Sequence, residues 1–146
     1  MGAKQIRFIT RETFAGYGTV IELKPDSRDG WEIVVKVENS GWRIAVLEFS
    51  RHTASILENH PQSKESFEPL YGTALLIVAE NNAPDSFEVF LLDKPVCLFE
   101  GVWHQVISLS QVSCVKITEN LEVACEFHDL GDEVTACVNT ALLCQV

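Results

Sequence analysis

The 146-residue sequence has no long apolar run. No stretch approaches the ~20 consecutive apolar residues that cross a bilayer as a helix. The first residues carry Lys4, Arg7, Arg11 and Glu12 among their apolar positions, a pattern unlike that of a signal peptide. We therefore expect a cytoplasmic protein that does not enter membranes.

Positive charge is also scarce. There are 11 Lys and Arg against 21 Asp and Glu, for a formal net charge of -10 at pH 7. Nucleic acids are bound mainly by Lys and Arg that neutralise phosphates, so the charge argues against a nucleic-acid partner and against an anionic membrane surface. We expect a small anionic or polar metabolite as ligand. An anion would need a local cation, either a placed Arg or Lys or a bound metal.

Paired-cysteine patterns are missing as well. The five cysteines are odd in number and include no C-x-x-C pair that would indicate a zinc or redox centre. Each lies among apolar residues, where free cysteine behaves as a small core hydrophobe. This agrees with a reducing compartment. The cysteines expected in the core are Cys97, Cys114, Cys125, Cys137 and Cys144.

Short β-prone runs, separated by polar turns, make up most of the sequence. Many strands at short spacing are typical of a sandwich or barrel. Thr10 could cap a helical turn before Tyr17. With no Gly/Ser linker, charge block or internal repeat, residues 1–146 are expected to form one domain. The predicted strands are Tyr17–Leu23, Trp31–Val37, Trp42–Phe49, Ala74–Ala79, Phe87–Leu92, Val106–Leu109 and Val112–Ile117.

Three segments, in order along the chain, resemble the ureidoglycolate lyase family. The first runs from Ile9 to Glu22 and contains Phe14 followed by Tyr-Gly-Thr-Val-Ile. The second is Leu-Glu-Asn-His-Pro at residues 57–61, and the third is Gly-Val-Trp-His at 101–104. The resemblance implies an all-β, cupin-type barrel (a jelly roll) that forms homodimers. It also implies a lyase of allantoin degradation that releases urea from ureidoglycolate and leaves glyoxylate.

The cupin fold has a first motif of H-x-H, Glu and Gly, and a second motif that includes G-x-x-H. This chain keeps the frame with Glu58 in place of the first His: Glu58-x-His60, then Glu65 and Gly72, then Gly101-x-x-His104. Residues two apart in a strand share a face, so Glu58 and His60 can both point into a barrel. A divalent metal is therefore a possible cofactor, because Glu58, His60, Glu65 and His104 form an N2O2 donor set with open positions.

His104 follows Trp103 and precedes an apolar pair, which predicts a place inside the barrel or at its mouth. We predict His104 and Glu65 as catalytic acid–base residues, with Glu58 as the alternative carboxylate. Trp103 and Arg43 are the predicted substrate-binding residues, Arg43 as a candidate to hold a carboxylate. Single residues of these types are more often packing or surface groups.

Three functions are compatible with these patterns. The first is a lyase acting on ureidoglycolate or a related small hydroxy acid. The second is a different metal-dependent cupin enzyme, which the carboxylate at Glu65 favours. The third is a non-catalytic binding barrel, which the negative charge favours. No Ser-His-Asp order, phosphate-binding Gly loop or dinucleotide fingerprint indicates another chemistry.

Overall fold

The computed structural model describes residues 3–22, 24–26, 34–38 and 41–137, and these residues form a mainly β structure. The only helix among them is the 3-10 turn Pro84–Ser86, and no described helix could cross a membrane. The strands are β1 Ile6–Phe8, β2 Gly18–Val20, β3 Trp42–Phe49, β4 Thr53–Asn59, β5 Glu65–Tyr71, β6 Ala74–Ala79, β7 Glu88–Leu91, β8 Val96–Leu98, β9 Trp103–Ser108, β10 Ser113–Asn120 and β11 Glu126–Thr135.

The strands form two sheets. One has six strands in the order β1-β7-β6-β9-β4-β11, and the other has five in the order β2-β8-β5-β10-β3. Most neighbours are antiparallel, and β1 pairs with β7 in parallel. Within the described ranges no strand pairing joins one sheet to the other, so the jelly roll is an open sandwich and not a closed barrel. The predicted all-β, cupin-type fold is confirmed in this form.

The main core lies between the two sheets. It combines side chains of the six-stranded sheet, such as Leu76 and Phe90, with side chains of the five-stranded sheet, such as Phe67 and Val115. A second core covers the outer face of the six-stranded sheet and includes Leu57. Because β6 is buried on both faces, its sequence is a continuous apolar run and not an alternating one.

Predicted strands Trp42–Phe49 and Ala74–Ala79 are observed with those bounds. The prediction for Trp31–Val37 is wrong over its described part, because residues 34–37 pair with no strand. Val35 and Val37 line a groove of about 260 Å³ beside Trp42. Their apolar character therefore reflects this groove and not a place in a sheet. Residues 31–33 lie outside the described residues.

The predicted turn at Thr10 is present as a series of turns over residues 11–17. The Thr13 amide donates to Thr10 Oγ1, and the Phe14 amide donates to the Thr10 carbonyl. Of the four described cysteines, Cys97 and Cys114 are buried as predicted.

Two cysteines contradict the burial prediction. Cys125 and Cys137 are exposed because they lie outside the strands, Cys125 in the loop before β11 and Cys137 beyond its end. Cys144 lies outside the described residues.

Candidate functional site

The candidate site begins where β4 ends. β4 carries Glu58 on the same face as His60, which follows the strand at the turn of Pro61. His60 is only 6% exposed, and its carbonyl accepts a hydrogen bond from the Gly101 amide at 2.9 Å. This bond ties the end of β4 to the turn that precedes β9.

His104 lies on β9, the neighbour of β4. Its Cα is paired with that of Glu58 across the two strands, so both side chains lie on the face that looks into the sandwich. His104 is 5% exposed, and its ring contacts Phe67 of the facing sheet at 5.5 Å between centroids. His104 therefore lies inside the fold and not at its mouth.

Glu65 comes from the opposite sheet, at the start of β5, and is also buried. Its Oε2 lies 2.8 Å from His104 Nε2 and 3.1 Å from His60 Nε2. The sequence Gln-Ser-Lys-Glu-Ser around it is typical of a solvated loop, but Glu65 is buried. The ligand atoms of His60, Glu65 and His104 all lie within 4.8 Å of one another.

The tautomers of the two histidines follow from their other ring nitrogens. His60 Nδ1 lies 3.2 Å from the carbonyl of Ala124, and His104 Nδ1 lies 3.0 Å from the carbonyl of Val102. A carbonyl only accepts, so each Nδ1 is the donor. In a neutral ring Nε2 then carries a lone pair, and both lone pairs face an oxygen of Glu65.

Glu65 Oε2 is buried and makes no well-aligned hydrogen bond despite these close contacts. Three acceptor atoms that meet in this way need a cation between them, either a proton or a metal ion. Histidines whose Nδ1–H donates to backbone carbonyls are typical metal ligands, because that bond orients Nε2. The donor set of His60, Glu65 and His104 therefore fits a divalent cation.

Charge reinforces this arrangement. Burial alone would raise the pKa of Glu65, but the two neighbouring imidazoles outweigh it and lower the pKa to about 2. Burial would lower the pKa of His60, but the contact with Glu65 and the nearby charges raise it above the usual value. In the metal-free protein the group therefore holds a carboxylate that stays ionised beside an imidazole whose protonated form is favoured.

Glu58 and Arg43 flank the group. The Glu58 side chain is about one-third exposed, and its Oε1 is 3.8 Å from His60 Nε2. Arg43, on β3, donates through Nε to Glu119 Oε1 at 2.9 Å, and Glu119 Oε2 lies 3.9 Å from His60 Nε2. Arg43 is thus linked to the site through a carboxylate that the sequence analysis did not single out.

Trp103 is not brought together with His104. Adjacent residues of a strand point to opposite faces, so Trp103 lies in the second core with Leu57, and its Nε1 donates to the carbonyl of Asn81. His52 is exposed. His128 is partly buried and pairs with Asp85 at 2.8 Å.

Glu119, Ala124 and Cys125 are site residues that sequence reasoning missed. Glu119 lies between Arg43 and Glu65 in the register of three strands, a long-range pairing that no local pattern reveals. Ala124 acts through its backbone carbonyl, which carries no sequence signal at all. Although Cys125 is exposed, partial desolvation of its thiol, its hydrogen bond to Glu58 and the charges of Glu58, Glu119 and Glu65 raise its pKa to about 11.

Comparison with known proteins agrees with this geometry. The family model described as ureidoglycolate lyase matches residues 35–135, a range that contains every site residue above. The chain belongs to the ureidoglycolate lyase family. It is similar to the ureidoglycolate lyase of Agrobacterium fabrum, with 30% identity over 121 residues covering 68% of this chain and 73% of the relative.

A second member of the family gives a longer match. The chain is 28% identical to ureidoglycolate lyase 1 of Rhizobium meliloti over 148 residues, covering 82% of this chain and 85% of the relative. Among solved structures, it is similar to an oxalate decarboxylase from Bacillus subtilis with a TM-score of 0.46 and 14% identity, over 62% of this chain and 24% of that one.

Proposed function

We propose that this protein is a ureidoglycolate lyase that releases urea from ureidoglycolate and leaves glyoxylate. The observation that carries the proposal is the buried convergence of His60, Glu65 and His104 in a chain of this family. The curated relatives bear the name of this activity. Because the formal net charge is -10, the carboxylate of this substrate needs a local cation at the site.

The reaction needs one proton to move. Ureidoglycolate carries a hydroxyl, a carboxylate and a ureido nitrogen on one carbon. A base removes the hydroxyl proton, the C–O bond becomes C=O, and the C–N bond breaks with its electron pair on nitrogen. Protonation of that nitrogen completes urea, so a single group can take the proton and return it.

Glu58 is the group that we assign to this transfer. It lies on the same inward face as His60 and His104 and is partly open to solvent, so a substrate can reach its carboxylate. Arg43 is assigned to the substrate carboxylate, because its guanidinium is half-exposed and Glu119 holds it beside the site. Trp103 has no role in this scheme.

His60, Glu65 and His104 are assigned to a divalent cation. Their Nε2 atoms and the unpartnered Glu65 Oε2 fit such a group. When bound, the cation would supply Lewis-acid polarisation of the substrate's oxygens. In this scheme His104 and Glu65 hold the cation, and the acid–base role that the sequence analysis predicted for them passes to the alternative carboxylate, Glu58.

Two further assignments belong to the same proposal. We place the protein in the cytoplasm, where reducing conditions keep thiols free, as the four described cysteines are. We also propose a homodimer that pairs through β3, the edge strand of the five-stranded sheet. Its outer face exposes an apolar row formed by Trp42, Ile44 and Val46.

A urea-release assay tests the function. Protein supplied with a divalent cation should form urea and glyoxylate in equal amounts from ureidoglycolate, faster than a blank without protein. Glu65→Gln should reduce the rate by about a hundredfold or more, because loss of this carboxylate ligand removes the Lewis-acid polarisation that the bound cation would supply, which is worth several kcal/mol.

The matched control is Glu68→Gln on the same strand. Glu68 pairs with Lys116 on the other face of β5, at 2.8 Å, so its neutralisation should leave the rate unchanged. Wild-type protein that forms no urea above the blank, or a Glu65→Gln variant as fast as Glu68→Gln, would refute the assignment.

A further inference from the structure

A second group of metal-ligating side chains lies at the mouth of the site. The ligand atoms of Glu58, His60 and Cys125 all lie within 4.8 Å of one another. Glu58 and Cys125 are more exposed than the buried group formed by His60, Glu65 and His104. The two groups share one residue, His60. We call them the outer and the inner group.

The fold holds the outer group in place. Glu58 and His60 are two residues apart at the end of β4, and Cys125 ends the loop that joins β10 to β11. β11 begins at the next residue, Glu126, which pairs with Asn59, the residue between Glu58 and His60. The carbonyl of Ala124 in the same loop accepts the hydrogen bond of His60 Nδ1. The thiol is thus positioned by sheet register and not by a free loop.

The residue that the two groups share, His60, lies beside a buried carboxylate. Glu65 is 6% exposed, and its Oε2 faces His60 Nε2 at 3.1 Å without a well-aligned hydrogen bond. The same Nε2 atom lies 3.8 Å from Glu58 Oε1, so His60 can turn its lone pair to a cation in either group.

The donor atoms of the two groups select different cations. The inner group offers nitrogen and carboxylate oxygen, whereas the outer group adds a thiol sulfur. Thiolate is a soft ligand that favours thiophilic cations, and zinc sites combine Cys, His and carboxylate ligands with an open fourth position. An outer set of one sulfur, one nitrogen and one oxygen matches that description.

We propose that Glu58, His60 and Cys125 form a separate site for a thiophilic divalent cation such as Zn²⁺ or Cd²⁺. One imidazole nitrogen binds one cation, so a cation in the outer group takes His60 from the inner group. It also engages Glu58, the group assigned to proton transfer. Binding at the outer group therefore inhibits the lyase; this consequence rests on the proposed function, whereas cation binding itself does not.

Cobalt substitution tests the site directly. Co²⁺ added to the full chain under reducing conditions should give a near-ultraviolet thiolate-to-cobalt charge-transfer band. Cys125→Ser should remove the band, and this exposed, conservative change leaves the core packing untouched. Cys137→Ser, at the other exposed thiol of the described chain, should retain it. A wild-type protein without the band, or a Cys125→Ser variant that keeps it, would overturn the proposal.

A cadmium titration of urea release separates this proposal from the proposed function. The Cd²⁺ concentration for half-inhibition should rise more than about tenfold in Cys125→Ser, since even outer partners of metal ligands contribute that much to affinity. Equal inhibition of both proteins would overturn the inhibitory role. If the cobalt band depends on Cys125 but wild-type protein releases no urea, the lyase assignment fails and the outer site stands.

Discussion

At the scale of single residues, Glu65 determines the electrostatics of the site. It is the only one of the three inner ligands contributed by the five-stranded sheet, and it contacts both histidines of the other sheet. A buried carboxylate without such partners would be strongly unfavourable. The pair of imidazoles is therefore what makes a glutamate acceptable at this position, and each partner changes the pKa of the other.

The shifts predict a pH window for stability in the metal-free protein. The pKa of Glu65 is lowered from 4.5 to about 2, so its contribution is present above about 4.5 and is lost as the pH falls towards 2. The pKa of His60 is raised above 6.5, so its contribution is present below 6.5 and is lost as the pH rises through the folded-state value. Both contributions are present only between these limits.

Glu65→Gln should therefore lose the most stability at mildly acidic pH. We expect a deficit in the free energy of unfolding of about 3 kcal/mol near pH 5.5, and a smaller one near pH 3 and pH 8. Denaturant titrations with a chelator present would measure it. Glu68→Gln should show no such window, and a Glu65→Gln deficit that is the same at all three pH values would contradict the argument.

At the scale of elements, the site depends on how β9 is joined to its neighbours. Gly101, in the turn before β9, has a φ of 74°, which favours glycine. A Cβ there would lie 2.8 Å from Asn81 Nδ2, which donates to the Gly101 carbonyl. The Gly101 amide also binds the carbonyl of His60. Glycine is therefore favoured at position 101 of the second cupin motif for two reasons: its positive φ, and the closeness of Asn81 to where a Cβ would lie.

Gly101→Ala should destabilise the fold and disturb the site together. Gly131 offers a matched control, because it has the same φ of 74° and a Cβ there would meet nothing within 4 Å. Gly131→Ala should cost about 1–2 kcal/mol for the left-handed conformation, and Gly101→Ala about 1–3 kcal/mol more for the contact with Asn81. Thermal or denaturant unfolding measures both, and equal losses would show that Asn81 moves aside freely.

At the scale of the whole molecule, the two sheets differ in what covers their outer faces. The outer face of the six-stranded sheet is covered by its own second core. The five-stranded sheet has β3 at its edge. On the outer face of β3 the side chains of Trp42, Ile44 and Val46 are 62%, 53% and 65% exposed. An apolar row on an edge strand invites uncontrolled pairing unless a second copy covers it.

The homodimer is therefore predicted to depend on this row. Sedimentation at micromolar concentration should show a dimer for wild-type protein and a monomer for Ile44→Glu, which places a charge on the outer face without touching the inner core. Phe127→Ser removes a comparably exposed side chain from the opposite sheet and should leave the dimer intact. A wild-type monomer, or a dimer in all three proteins, would contradict pairing through β3.

The sequence by itself determined the all-β character, the bounds of β3 and β6, and the pairing of Glu58 with His60 on one face. Strand periodicity of two is a local property, so these features can be read from neighbouring residues. The motif spacing likewise predicted that Glu65 and His104 would join them.

Only the tertiary structure decided which residues complete the site. Glu119 reaches it through strand pairings within the five-stranded sheet, and Cys125 through the pairing of β11 with β4 at the next residue. Trp103 lies outside it because it points to the other face of β9 from His104. The burial of Glu65 also depends on the facing sheet, since its local sequence is that of a polar loop. Contacts between distant strands have no local pattern, so the register that creates them appears only once the chain is folded.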